Sequence, residues 1–228
     1  MRTAALLLLW FGCDASEAQA PASSPAAPQP VPAMAQPDPG PRAHVKLVTF
    51  GPFPAELRAA VAEGLQAELQ VEVARLPPMD LPADAYYPPR RRYRADRLLD
   101  HLRMHLDGEP SSVKALGLTT VDISTSAHGH SDWGVFGLGD LGGRASVIST
   151  FRLRRRARDT EHLRFRVVTT AIHEIGHTLG LPHCTEDRCV MNDAHGSIAT
   201  VDRSTGHLGP ACRRQLERRA PRSLGAVR

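Results

Sequence analysis

Residues 169–192 read TTAIHEIGHTLGLPHCTEDRCVMN, and the spacing of the histidines in this stretch organises the reading of the whole chain. His173 and His177 stand four positions apart. On an α-helix such residues share a face, so two imidazoles can point at one ion. Gly180 comes three residues later, where a left-handed residue can end the helix and turn the chain. His183 then offers a third nitrogen. Three protein nitrogens are the donor set of a catalytic zinc, which keeps its fourth position for water. Glu174, beside the first histidine, is placed to take a proton from that water. Met191 follows His183 by eight residues and by itself reads as a core methionine.

On the amino-terminal side, Asp159-Thr160-Glu161 supplies capping residues, and a helix is predicted from there to about Gly180. Phe165, Val168, Ile172, Ile175 and Leu179 are expected to face the core, and the histidines a cleft. Before this helix, 131–138 and 145–150 read as strands joined by the glycine-rich turn 137–143. An extended substrate is expected to pair along whichever of them forms the sheet edge. Residues 115–124 read as one further strand, and 95–106 as a helix with Leu98, Leu99, Leu102 and Leu106 on one side. The order strand 44–50, helix 54–68, strand 70–74 implies a crossover and a partly parallel sheet. His101 and His105 have helical spacing but no third donor beside them, so they read as surface residues. His128-Gly129-His130 reads as a loop.

The first twenty residues read as an export signal, with Arg2, an apolar run too short to span a bilayer, and Gly12-Cys13. Two outcomes stay open: a cell-envelope lipoprotein anchored to a membrane through Cys13, or a secreted protein cut after Ala20. Residues 21–42 are rich in Pro and Ala and are expected to be a disordered spacer. A single folded domain is expected over 43–220, with 221–228 a tail. The net charge is only +4, and the arginine clusters lack aromatic interleaving or any recognition motif, which argues against a nucleic-acid partner.

Cys184 and Cys189, with Met191 two residues beyond, extend the histidine motif as H-C-x4-C-x-M, and Cys212 follows. In this the chain resembles the archaemetzincin family of zinc metallopeptidases, within the metzincins. Tyr86-Tyr87-Pro88 with Tyr93, Leu116-Gly117-Leu118-Thr119 with Val121-Asp122, Phe136-Gly137-Leu138 and Ser149-Thr150-Phe151-Arg152-Leu153 resemble that family's segments too. The resemblance implies an α+β, zincin-like fold: a twisted mixed β-sheet with packed helices and a cleft above an active-site helix ending in a glycine turn. It implies peptide hydrolysis with His173, His177 and His183 as zinc ligands, Glu174 as catalytic base and a peptide or protein substrate, with Met191 in a tight turn that packs its thioether under the histidines without binding the ion. It also implies a second, structural zinc held by four cysteines.

The chain departs from that pattern at Gly209, where the family's third cysteine is expected. Three outcomes stay open. His207 joins Cys184, Cys189 and Cys212 around zinc, or Cys184 and Cys189 form a disulfide that leaves Cys212 free, or the second metal is lost. The damaged cluster also keeps a non-enzymatic alternative in view, a metal-stabilised binding domain of the same fold, although the intact Glu174 argues for hydrolysis.

Overall fold

The structure is a computed structural model and describes residues 42–219. The expected export signal, Cys13, the tail and all of the spacer except Arg42 lie outside the described residues.

The chain begins on β1 (His44–Phe50), continues through α1 (Ala55–Leu69) and returns on β2 (Glu72–Arg75), parallel to β1. Two short strands, β3 (Tyr86–Tyr87) and β4 (Arg92–Arg94), precede α2 (Ala95–Met104). Four of the next five strands are β5 (Val113–Thr119), β6 (Ile123–Ala127), β7 (His130–Val135) and β8 (Gly137–Gly139). The fifth, β9 (Ala145–Ser149), runs straight into α3 (Thr150–Leu153), capped by the Ser149 hydroxyl, which accepts from the Phe151 N–H. Then come α4 (Thr160–Thr178), α5 (Ile198–Arg203) and α6 (Pro210–Arg219).

The larger sheet has the order β2-β1-β5-β9-β8, parallel except for β8, and the smaller one the order β3-β4-β6-β7. Alternation along the strands divides the apolar residues between two faces. Leu47, Leu116, Leu118 and Ile148 meet Leu65 and Val61 of α1 and Val167, Ile172 and Ile175 of α4. On the opposite face Val48, Phe50, Ala115 and Val147 meet Leu98, Leu99 and Leu102 of α2. The larger sheet is thus covered on both faces, as a largely parallel sheet requires. This is the mixed α+β arrangement that the family resemblance implied.

Three expectations need correction. Residues 115–124 form two strands, because the chain leaves the larger sheet at Thr120 and enters the smaller one at Ile123. The break, with its polar residues Thr120 and Asp122, spans only three residues from one strand to the next, and β5 is buried throughout, so it is short against the apolar run on either side. The stretch 131–138 is likewise divided at Phe136 between β7 and β8, which belong to different sheets. Finally, β9 is an interior strand between β5 and β8, and is not available as an edge.

Candidate metal centre

The helix α4 is held at both ends. At its start the Asp159 carboxylate accepts from the His162 N–H (2.7 Å), filling one of the orphan donors of the first turn. One turn on, the buried Arg166 guanidinium grips the Asp202 carboxylate at 2.6 and 2.7 Å and the carbonyls of Leu153 and Arg155 at 2.7 and 2.9 Å. This ties α4 to the end of α3 and to α5. At the other end Gly180 takes φ +88°. Its N–H donates to the His177 carbonyl (2.8 Å) and the Leu181 N–H donates to the Gly176 carbonyl (3.0 Å), which together make a Schellman ending. The reversed chain points the Leu181 carbonyl back at the helix, where it accepts from His177 Nδ1 (2.8 Å).

His173, on the preceding turn, donates from Nδ1 to the Val190 carbonyl (2.7 Å). A carbonyl oxygen only accepts, so each ring carries its proton on Nδ1 and a lone pair on Nε2. Those two Nε2 atoms lie 3.0 Å apart. The His183 ring comes within 5.3 Å of His173 and 4.8 Å of His177, centroid to centroid, and its Nδ1 stands 3.3 Å from the Asp193 carboxylate. One donor atom from each of the three histidines lies within 4.8 Å of the others. Converging lone pairs repel unless a cation joins them. Tetrahedral zinc, with Zn–N bonds of about 2.0–2.1 Å, asks for nitrogens about 3.3 Å apart, close to what the chain provides. Every imidazole also has its second nitrogen against an oxygen acceptor, the arrangement that orients metal-binding histidines. Burial and the neighbouring His177 hold His173 far below the usual histidine range, at about 3, and burial lowers His177 as well. Both rings stay neutral, as a metal ligand must.

Glu174 lies beside His173 on the helix and is 7% exposed. Burial pushes its carboxyl up to about 8. The carboxylate rests against β8, where glycines on one face let the helix come close. A Cβ at Gly137 would stand 2.6 Å from Glu174 Oε1, and one at Gly139 2.6 Å from the Glu174 carbonyl. A cleft of about 650 Å³ opens over the histidines and Glu174, walled by Trp133, Phe136, Leu138, Leu141 and Val190. The outer side of β8 pairs with no strand among the described residues, so the edge faces this cleft with main-chain groups to spare.

Met191 is fully buried beneath the site. Its sulfur lies so near α4 that a Cβ at Gly176 would approach it to 2.6 Å. The loop that carries it is closed by the Cys184 N–H donating to the Met191 carbonyl (3.0 Å), and by Asn192 Nδ2 donating to the carbonyls of Cys184 (2.9 Å) and Glu186 (2.8 Å).

The three cysteines come together as free thiols, Cys189 and Cys212 buried and Cys184 half-buried. Burial pushes the thiols of Cys184 and Cys212 up. The fourth member of this cluster, with all donor atoms within 4.8 Å, is Glu186 and not His207. His207 was the expected fourth ligand, but its ring binds the Glu68 carboxylate of α1 through Nδ1 (2.7 Å). Glu68 also accepts from the Leu208 N–H (2.8 Å) and from Arg213 (2.7 Å), so the segment around His207 is drawn toward α1. His101 pairs with Asp84 at 2.9 Å, and neither it nor His105 joins a metal-capable group among the described residues. His128 and Gly129 form the turn before β7, and the rings of His128 and His130 pack on Trp133 near the cleft.

Gly176, Val190, Asp193 and Glu186 help build the site without a sequence signal, and Gly137 and Gly139, read as part of a glycine-rich turn, instead form β8. Only Asp193, a carboxylate two residues past Met191 in a histidine-rich segment, could have been suspected from spacing.

Residues 67–218 match peptidase family M54. The archaemetzincin of Haloarcula marismortui is 34% identical over 180 residues, covering 76% of this chain and 99% of that protein. The crystal structure of the archaemetzincin from Methanopyrus kandleri superposes with a TM-score of 0.68 at 33% identity, covering 83% of this chain and 100% of that one. The archaemetzincin of Archaeoglobus fulgidus, crystallised with malonate, gives a TM-score of 0.62 at 32% identity, over 75% and 99% of the two chains.

Proposed function

The chain belongs to peptidase family M54, the archaemetzincins, a family of zinc metallopeptidases, and from that premise we propose how its residues carry out peptide hydrolysis. His173, His177 and His183 would hold the catalytic zinc. Bound there, zinc would supply Lewis acidity for an attacking water and a scissile carbonyl. The Leu181 and Val190 carbonyls and the Asp193 carboxylate keep the three rings aimed at one point. Glu174 takes a proton from the attacking water and returns it to the departing amine. Its buried position against Gly137 holds the carboxylate still and limits access of bulk water. The peptide substrate lies extended in the cleft and adds to the free side of β8 by main-chain hydrogen bonds.

The observation that carries this reading is the confrontation of two lone-pair nitrogens at 3.0 Å, each oriented by a main-chain carbonyl. The test is cleavage of a peptide mixture by the wild type, by the wild type with chelator and by Glu174→Gln, with zinc content measured on each. Glu174→Gln is expected to keep its zinc and lose at least a hundredfold in rate. Equal, low cleavage by wild type and variant, with zinc bound to both, would favour the alternative of a non-catalytic, metal-stabilised binding domain.

A further inference from the structure

We propose that Cys184, Cys189, Cys212 and Glu186 form a second zinc site, in which the Glu186 carboxylate takes the place vacated by a side chain at position 209.

Four donors from two parts of the chain meet here. Cys184, Glu186 and Cys189 come from the loop after His183, and Cys212 comes from the first turns of α6. Cys189 and Cys212 are buried and Cys184 and Glu186 half-buried, and apolar packing alone would not draw a carboxylate in among three sulfurs. The Cys189 sulfur accepts main-chain N–H groups from Met191 (3.4 Å) and Gly209 (3.1 Å), which fix its position in the cluster. Three sulfurs and one oxygen, with no position left over, suit tetrahedral zinc in a structural role.

Gly209 explains why a carboxylate is admitted. A Cβ at that position would collide with Glu186 Oε2 and stand 3.3 Å from the Cys189 Cβ. The volume into which a side chain at 209 would grow is the volume that the Glu186 carboxylate fills. A carboxylate reaching from 186 and a side chain reaching from 209 therefore exclude each other. The same carboxylate accepts from the Ala211 N–H at 3.1 and 3.0 Å through its two oxygens. Capping α6 is the competing explanation for its position. The two roles are compatible, since one oxygen can bind the metal while the other keeps the N–H, the usual support of a ligating carboxylate.

The site would brace the loop that presents the Val190 carbonyl to His173 and sets Met191 under α4. It does not depend on the roles assigned to the three histidines.

The experiment uses the full-length protein with His177→Ala, so that the histidine site does not hold the metal being counted. Zinc per chain is measured, and cobalt(II) is titrated in while the thiolate charge-transfer absorbance is followed. One zinc per chain is expected to remain, and adding Glu186→Ala or Glu186→Gln should weaken its retention ten- to hundredfold. The Gln variant keeps an acceptor for the Ala211 N–H, so its loss of metal is not the loss of a helix cap. Glu186→Ala combined with Gly209→Cys should restore binding, with charge-transfer absorbance raised by about one third as four thiolates replace three. This rescued variant also covers the case in which Glu186→Ala alone does not fold. Absence of any zinc in the His177→Ala protein would overturn the proposal. So would an unchanged affinity and cobalt spectrum in the Glu186 variants, or no four-thiolate signature in the rescued one.

Discussion

His173 and His177 present their Nε2 atoms to each other at 3.0 Å, while each ring gives its Nδ1 proton to a main-chain carbonyl, that of Val190 or Leu181. The arrangement suits a cation and is unfavourable without one. Metal should therefore stabilise the fold measurably. A ligand at about a thousand times its dissociation constant adds about 4 kcal/mol, or about 10 °C in Tm for a domain of this size. Chelation followed by thermal melting should show a fall of that order, reversed by added zinc. A Tm indifferent to chelator would mean that the histidines hold no ion.

Glu174 makes the metal-free protein sensitive to pH in a definite direction. Its carboxyl is raised from 4.5 to about 8 by burial, so between those values the folded state retains a proton that the unfolded chain has released. Its contribution to stability is full below pH 4.5 and is lost as the pH rises toward 8. Glu174→Gln carries no such proton. The metal-free variant should gain in Tm over the metal-free wild type with rising pH, and the gain should vanish near pH 4.5. A difference independent of pH would show that the carboxylate is solvated or paired in the folded state.

Gly176 is where the helix accommodates Met191. A methyl group there would meet the Met191 sulfur at 2.6 Å. Gly176→Ala should destabilise the protein by about 1–3 kcal/mol despite the better helix propensity of alanine. It should also weaken zinc retention, because displacement of Met191 disturbs Val190. A compensating Met191→Ala should recover part of the loss. Urea denaturation of both variants, with zinc content, measures this.

Glu68 and His207 separate the two readings of the cysteine cluster. Glu68→Ala leaves the buried Leu208 N–H and the Arg213 guanidinium without their acceptor, and should cost about 2 kcal/mol in denaturant unfolding. His207→Ala should leave the zinc stoichiometry unchanged. Loss of a zinc on that substitution would restore His207 as a ligand and contradict its placement against α1.

The local parts of this molecule were readable from its sequence, and the parts that depend on partners distant in the chain were not. The α4 helix, its capping residue Asp159, its ending at Gly180 and the convergence of three histidines all follow from spacings of a few residues. So does the parallel pairing of β1 and β2 across α1. The division of 115–124 was hidden because both strands are buried and their break, Thr120 to Asp122, is too short to show in the pattern. The carboxylate of Asp122 is held there by Arg92 (2.9 Å) and Arg152 (2.7 Å), thirty residues away on either side. The helices α5 and α6 lie in a stretch whose sequence reading rests on His207, Gly209 and Cys212 as single residues, without a periodic pattern to mark them as helices. His207 was misplaced because proximity along the chain favoured it, whereas the competing attraction comes from Glu68, 139 residues earlier. Glu186 has no distinguishing spacing, and its place becomes visible only when α6 is packed against the loop.

The Schellman ending of α4 carries one more consequence. The Leu181 carbonyl that orients His177 is delivered by a turn whose own amides, at Gly180 and Leu181, are bonded inside the helix end. Fraying of that last turn would release the imidazole at the same moment as it releases these two protons. Hydrogen exchange at the Gly180 and Leu181 amides therefore reads out, from the backbone, how often the centre falls open. Slowing of both by zinc, in step with each other and ahead of neighbouring amides, is the expected signature of a helix terminus and a metal ligand that open as one unit.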